Sequence, residues 1–243
     1  MRRRSSRVAP AIAMPGFGRK GWALAWLLAL PVLAAAATDF SEAEKALFMG
    51  TPLAQLQPPQ TLSYVFRKTG SMEAAFEDTV KLDLKAQADG KCCAVAARFF
   101  SGDRALKQPD VDNAQGNPAV MYFLERDIRE MQRLTGGQAA YFRKRIRMAV
   151  YQGATVRELK LPYRNASVAV KEFSIAPYAD DPNHARFEKL IGKRYAFYLS
   201  DAVPGGVYAI RTRIDGADPK GAPLMQEEML LEGAESPTSV RKP

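Results

Sequence analysis

Few residues in this chain are suited to chemistry, and their spacing does not favour catalysis. The single histidine, His184, falls in the first turn of an expected short helix. No cysteine or carboxylate stands at metal-ligand spacing from it, so it reads as a solvated or hydrogen-bonded side chain rather than a zinc ligand. A serine triad would need this same imidazole. The chain has no G-x-S-x-G elbow, no phosphate-binding loop and no dinucleotide fingerprint. Asp127 and Glu130 share an expected helix, but their basic neighbours account for them better than paired-carboxylate hydrolysis does. The sequence therefore points to no catalytic residue, no metal and no cofactor.

Two clusters remain. Cys92 and Cys93 are the only cysteines and they are adjacent. In an extended strand their side chains point to opposite faces, so a bond between them needs local distortion and gains almost no loop entropy. Three readings stay open: two reduced thiols packed as small hydrophobes, a vicinal disulfide, or a redox or metal site. The second cluster is Arg143, Lys144, Arg145 and Arg147, crowded onto one expected helix with Tyr141, Phe142, Met148 and Tyr151. Such a basic amphipathic helix binds an anionic lipid surface or an acidic partner, or else it is a solvated face whose long stems shield the core.

These residues must be placed by the rest of the chain. Arg2, Arg3, Arg4, Arg7, Arg19 and Lys20 form a basic, acid-free leader. An uncharged apolar run follows from Trp22 to Ala37, and Ala35 and Ala37 fit an A-x-A cleavage site. Residues 1–37 thus read as a cleaved secretory signal; the run is short for a membrane-spanning helix. The full chain of 243 residues carries a formal charge of +9, but six of its basic residues lie in the leader. Without them the excess falls to +3, which removes the case for a nucleic-acid partner. The arginine-rich, alanine-rich composition suggests a bacterial periplasm as the address. Residues 38–233 read as one domain, and 234–243 as a disordered tail.

Within that domain the hydrophobic period is mostly two. Leu62, Tyr64 and Phe66 share one strand face, and Val80, Leu82 and Leu84 alternate with Lys81, Asp83 and Lys85. Asp89-Gly90 supplies a tight turn into a strand at Cys92–Phe100. Residues 101–116 read as loop. From about 117 to 152 the period changes to 3.6. Asn117 caps and Pro118 opens a first helix, with Val120, Leu124, Ile128 and Met131 as its apolar stripe. Glu125–Arg129 and Arg126–Glu130 are expected as surface pairs. A second helix, with Phe142, Ile146 and Val150 inward, runs to Gly153. Strands resume at 155–163, 168–175, 194–200, 207–214 and 226–232, with a short helix near 182–191.

The expected class is therefore α+β. About eight strands form a mainly antiparallel curved sheet or half-barrel with one apolar face, and the inserted helix pair and the short helix cover that face. The segments Thr61–Phe100 and Thr155–Glu232, with the helices at 118–151 as a lid, resemble the bacterial lipoprotein-carrier half-barrel group. The chain also looks like other exported proteobacterial proteins. The resemblance implies a curved sheet and helical lid that hold acyl chains; it transfers no functional residue. The leading expectation is a non-enzymatic periplasmic binding or carrier protein for an apolar or lipid-like ligand, with the basic helix toward an anionic headgroup or membrane. The alternatives are a structural or assembly partner in the cell envelope and an enzyme built on carboxylates or arginine.

Overall fold

The computed structural model describes residues 40–87, 92–218 and 221–237. The leader, the Asp89-Gly90 turn, residues 238–243 and the side chain of His184 lie outside the described residues.

Ser41 opens the described chain with the expected capping box. Its hydroxyl accepts from the Glu44 N–H at 3.1 Å, and the Glu44 carboxylate accepts from the Ser41 N–H at 2.9 Å. This fixes a single turn, α1 (Glu42–Glu44), which widens into a π turn at Lys45–Met49. After the Pro58-Pro59 break the period-two pattern takes over. β1 (Gln60–Thr69) buries Leu62, Tyr64, Phe66 and Lys68. β2 (Phe76–Ala86) buries Asp78, Val80, Leu82 and Leu84, and β3 (Cys92–Phe99) buries Cys93, Val95, Ala97 and Phe99. A two-residue strand, β4 (Leu106–Lys107), finishes this half.

Two helices follow. α2 (Pro118–Thr135) starts where Asn117 accepts from the Val120 N–H and ends at Gly136, whose φ of 66° is the left-handed conformation that glycine adopts without steric cost. α3 (Ala139–Gly153) buries Phe142, Ile146 and Val150. The chain then returns through β5 (Thr155–Tyr163), β6 (Ala166–Ile175), the short α4 (His184–Phe187) with a 3₁₀ turn at Glu188–Gly192, β7 (Arg194–Leu199), β8 (Val207–Ile214) and β9 (Met225–Leu231).

Among the described residues nine strands form one open antiparallel sheet in the order β4-β3-β2-β1-β9-β8-β7-β6-β5. The chain enters at the middle and steps outward to β4. It crosses through α2 and α3 to the far edge at β5, then steps inward until β9 pairs with β1. This is the expected α+β class with one strand more than the eight anticipated. The extra strand is β4, which lies in the stretch expected as loop; two residues are too few for alternation to show.

Three further expectations are corrected. Arg126 does not pair with Glu130 on the surface, because α2 is buried on more than one side and carries both Arg126 (4% exposed) and Asp127 (0%) inside. The sheet's covered face is not wholly apolar, as described below. The C-terminal tail is not free from residue 234. Tyr163 bridges to Ala234, the Tyr208 hydroxyl accepts from the Glu235 N–H at 3.0 Å, and Arg211 donates to the Pro237 carbonyl at 2.5 Å. These bonds hold the chain at least as far as Pro237.

At the β1–β9 junction, Gly70 has a φ of +126°, and a Cβ there would meet the Leu224 carbonyl oxygen at 2.3 Å. Only glycine fits that approach.

Candidate binding site

The covered face of the sheet is organised by register. One cross-strand row reads Phe173, Phe197, Ile210, Met229, Phe66. It is apolar and buried. The next inward row reads Ile175, Tyr195, Thr212, Glu227, Lys68, Phe76. Its four central members are polar, and α2 lays its own polar residues across them.

The contacts form one continuous network. Arg126 grips Glu227 with both amino groups, Nη1 at 3.1 Å and Nη2 at 2.5 Å, while its guanidinium lies 4.8 Å from the centre of the Phe66 ring. Asp127 accepts from the Lys193 amine at 2.5 Å and from the Tyr195 hydroxyl at 2.7 Å. The Tyr178 hydroxyl stands 3.3 Å from that of Tyr195. On the other side, the Lys68 amine lies 3.6 Å from Glu227 and 2.9 Å from Glu130, and it also binds Glu73. Arg133 closes the outer end by pairing with Glu130 and Glu73.

Charge balance inside this seam sets the protonation of its members. Burial pushes the Glu227 carboxyl up, but Arg126, Lys193 and Lys68 together outweigh it and hold it at about 2. Burial also opposes ionisation of Glu130, and the bonds from Arg133 and Lys68 keep it well below the usual carboxylate range. Burial, then the neighbouring Asp127 charge, raises the Tyr195 phenol far above its ordinary value, so it is a proton donor at any working pH. Every charged group here already has a partner of opposite sign. The arrangement clamps α2 to the sheet and leaves no carboxylate free for acid–base chemistry.

The basic helix is divided by its contacts. Arg143 forms a two-point pair with Glu125 on α2, at 2.7 and 2.6 Å. Arg145 donates to the Pro177 carbonyl at 2.9 Å and faces Asp181 at 3.2 Å. Lys144 and Arg147 are exposed and have no ion-pair partner among the described residues. They share the outer side of α3 with Tyr151, which is 55% exposed, and α1 adjoins this end of the helix through the Ser41 hydroxyl on the Val150 carbonyl. The four basic residues therefore split into two that hold the helix and two that face solvent.

Cys92 and Cys93 open β3, where the β2–β3 register shifts at Lys85/Ala86. Their sulfurs are in bonding contact. Among the described residues no group of three potential ligands could hold a metal ion.

A hollow that sequence reasoning missed runs along the flank of α2. Pro109, Val111, Ala114, Pro118, Met121 and Tyr122 line a mainly apolar groove of about 370 Å³. Val111 and Met121 are 36% and 43% exposed. The groove is built by a loop that follows β4 and is tied to β3 by paired backbone bonds between Val95 and Val111 at 2.8 and 2.9 Å. No alternation or motif marks that loop in the sequence. Among the described residues, no helix is long and apolar enough to cross a membrane.

The sequence matches no protein-family model and no curated protein. Among solved structures, the chain has a distant likeness to the lipoprotein LppX of Mycobacterium tuberculosis, at 8% identity over 75% of this chain and 90% of that chain, with a TM-score of 0.30.

Proposed function

We propose that this protein is an exported, periplasmic, non-enzymatic binding or carrier protein for an apolar or lipid-like ligand, held between the sheet and its helical cover. One observation carries this reading. The cover packs buried apolar side chains of α2 and α3 over a broad apolar face, and a row of buried ion pairs crosses that packing. Exposing an apolar seam costs about 25 cal/mol per Å². A buried ion pair behaves differently, because each charge recovers several kcal/mol of hydration when the seam opens. The ion pairs fix the register in which the cover closes and lower the cost of parting it relative to an all-apolar seam, which favours access of a ligand to the Phe173–Phe197–Ile210–Met229–Phe66 row. Lys144 and Arg147, unpaired on the outer side of α3, suit an anionic headgroup or membrane surface.

The test is uptake by delipidated protein. Saturable binding of a fatty acid or a phospholipid is expected. Lys144→Glu with Arg147→Glu is expected to weaken the protein's attachment to anionic vesicles several-fold at low salt without changing its melting temperature, since exposed unpaired charges contribute little to stability. Absence of any saturable uptake would remove the proposal.

A further inference from the structure

Gln108 lies at the groove beside α2 and is 5% exposed. Neither its Nε2 nor its Oε1 has a hydrogen-bond partner among the described residues. A buried primary amide with both ends unpaired is a costly arrangement, and native proteins rarely keep one without a use. Its neighbour in the groove, Tyr122, is by contrast fully engaged, with its hydroxyl 2.8 Å from the Pro109 carbonyl and 3.2 Å from that of Val95.

We infer that this groove is a ligand site for an amphiphile with a neutral amide head, an acyl chain ending in a primary amide, and that Gln108 is the group that reads the head. The inference rests on the proposed role in binding apolar ligands and adds a site and a headgroup chemistry to it. The argument is one of matching donors and acceptors. Gln108 offers one donor end and one acceptor end side by side. A carboxylate has only acceptors, so it would satisfy Nε2 and leave Oε1 unpaired. An ester has no donor either. A primary amide presents an N–H and a C=O side by side and satisfies both ends, whereas a trans secondary amide points them in opposite directions and reaches only one.

Charge at the rim points the same way. The two ionic residues of the groove, Glu125 and Arg129, have opposite sign. Glu125 is already held by Arg143, and Arg129 donates to the Lys107 carbonyl at 3.3 Å. No net charge is left to select an anion. The apolar wall of Val111, Pro118 and Met121 takes the chain. Because the Gln108 amide lies beneath the surface, the head reaches it by displacing the loop around Val111, which is joined to β3 at an isolated bridge outside any longer strand.

The experiment compares decanamide, methyl decanoate and decanoate by titration calorimetry on the delipidated protein. Each is followed in wild type, Gln108→Leu and Met121→Glu. Wild type is expected to bind the amide about 10-fold more tightly than the ester or the carboxylate, the usual value of a buried hydrogen bond made against one lost. Gln108→Leu is expected to erase that preference while retaining the chain's contribution. Met121→Glu, at an exposed position that tolerates charge without unfolding, is expected to abolish binding of all three. Equal affinities in wild type, or full binding in Met121→Glu, would overturn the groove assignment and leave the carrier reading standing. If no amphiphile binds wild type at all, both fail. Tighter binding of N-acetyl-leucine methylamide than of decanamide would reassign the groove to a peptide and overturn the acyl-chain inference.

Discussion

The pairing of Arg126 with Glu227 makes a sharp prediction about what holds the helices to the sheet. In Arg126→Met the Glu227 carboxylate stays fully buried, with Lys68 at 3.6 Å and the Thr212 hydroxyl at 3.4 Å as its remaining contacts. Breaking one side of a buried pair leaves an uncompensated charge and costs about 3–5 kcal/mol. For a domain of this size that is a fall in melting temperature of roughly 6–20 °C. In the double variant Arg126→Met/Glu227→Met the stranded charge is gone. Lys68 keeps Glu130 and Glu73, and Asp127 keeps Lys193 and Tyr195. Stability should then return to within about 1 kcal/mol of wild type, or exceed it, as hydrophobic replacements of buried ion pairs do elsewhere. Urea unfolding followed by circular dichroism measures this directly, provided the slope is the same in all variants. The reasoning is refuted if the single substitution costs less than about 1 kcal/mol, or if the double variant loses the sum of the two single losses. The double variant, with its seam now apolar at this point, should also take up ligand more slowly than wild type.

Other expectations follow from the same contacts. Glu227 and Glu130 have folded-state values below the ordinary value of about 4.3 for an unfolded glutamate. The unfolded chain therefore binds more protons in that interval, so their contribution is complete above about pH 5 and is lost as pH falls from about 4.5 toward 2. Melting temperatures measured at stepped pH should show this acid limb, and Glu227→Gln should flatten it. Gly70→Ala should cost about 2–4 kcal/mol, since its Cβ would collide with the Leu224 carbonyl and its φ is unfavourable for an L side chain; a melting curve within 1 °C of wild type would contradict the close approach. Finally, the sulfurs of Cys92 and Cys93 should resist alkylation in the unfolded, unreduced protein and take up two alkyl groups after reduction, read by intact mass; uptake without reductant would identify free thiols.

The strands were legible because side chains of one polarity recur at every second residue, as in Leu62–Tyr64–Phe66 and Val80–Leu82–Leu84. The helices were legible because Asn117-Pro118 and Gly136-Gly137 punctuate a change of period. What the one-stripe view of α2 concealed was its burial on several sides, which turned Arg126 and Asp127 inward. A signal for this did exist. Lys68 continues the inward parity of Leu62, Tyr64 and Phe66, and Glu227 stands between the inward Met225 and Met229. Two opposite charges at inward positions of strands need each other, or a third element, to be tolerated. The groove at Gln108 had no such signal, because an irregular loop has no period and its geometry depends on where β3 and α2 come to rest.

The topology also dictates the order in which this molecule can be finished. β1 leaves the ribosome before the other strands of this sheet, and its partner on one side is β9, so that Tyr64 faces Leu231 across the middle of the sheet. Until β9 has emerged, that edge of β1 offers a row of unpaired amides and carbonyls to any passing strand. The two meanders on either side form from near neighbours, but their union is among the most distant contacts in the chain and the last to be made. A chain ending before β9 would thus be two half-sheets, each with a sticky margin.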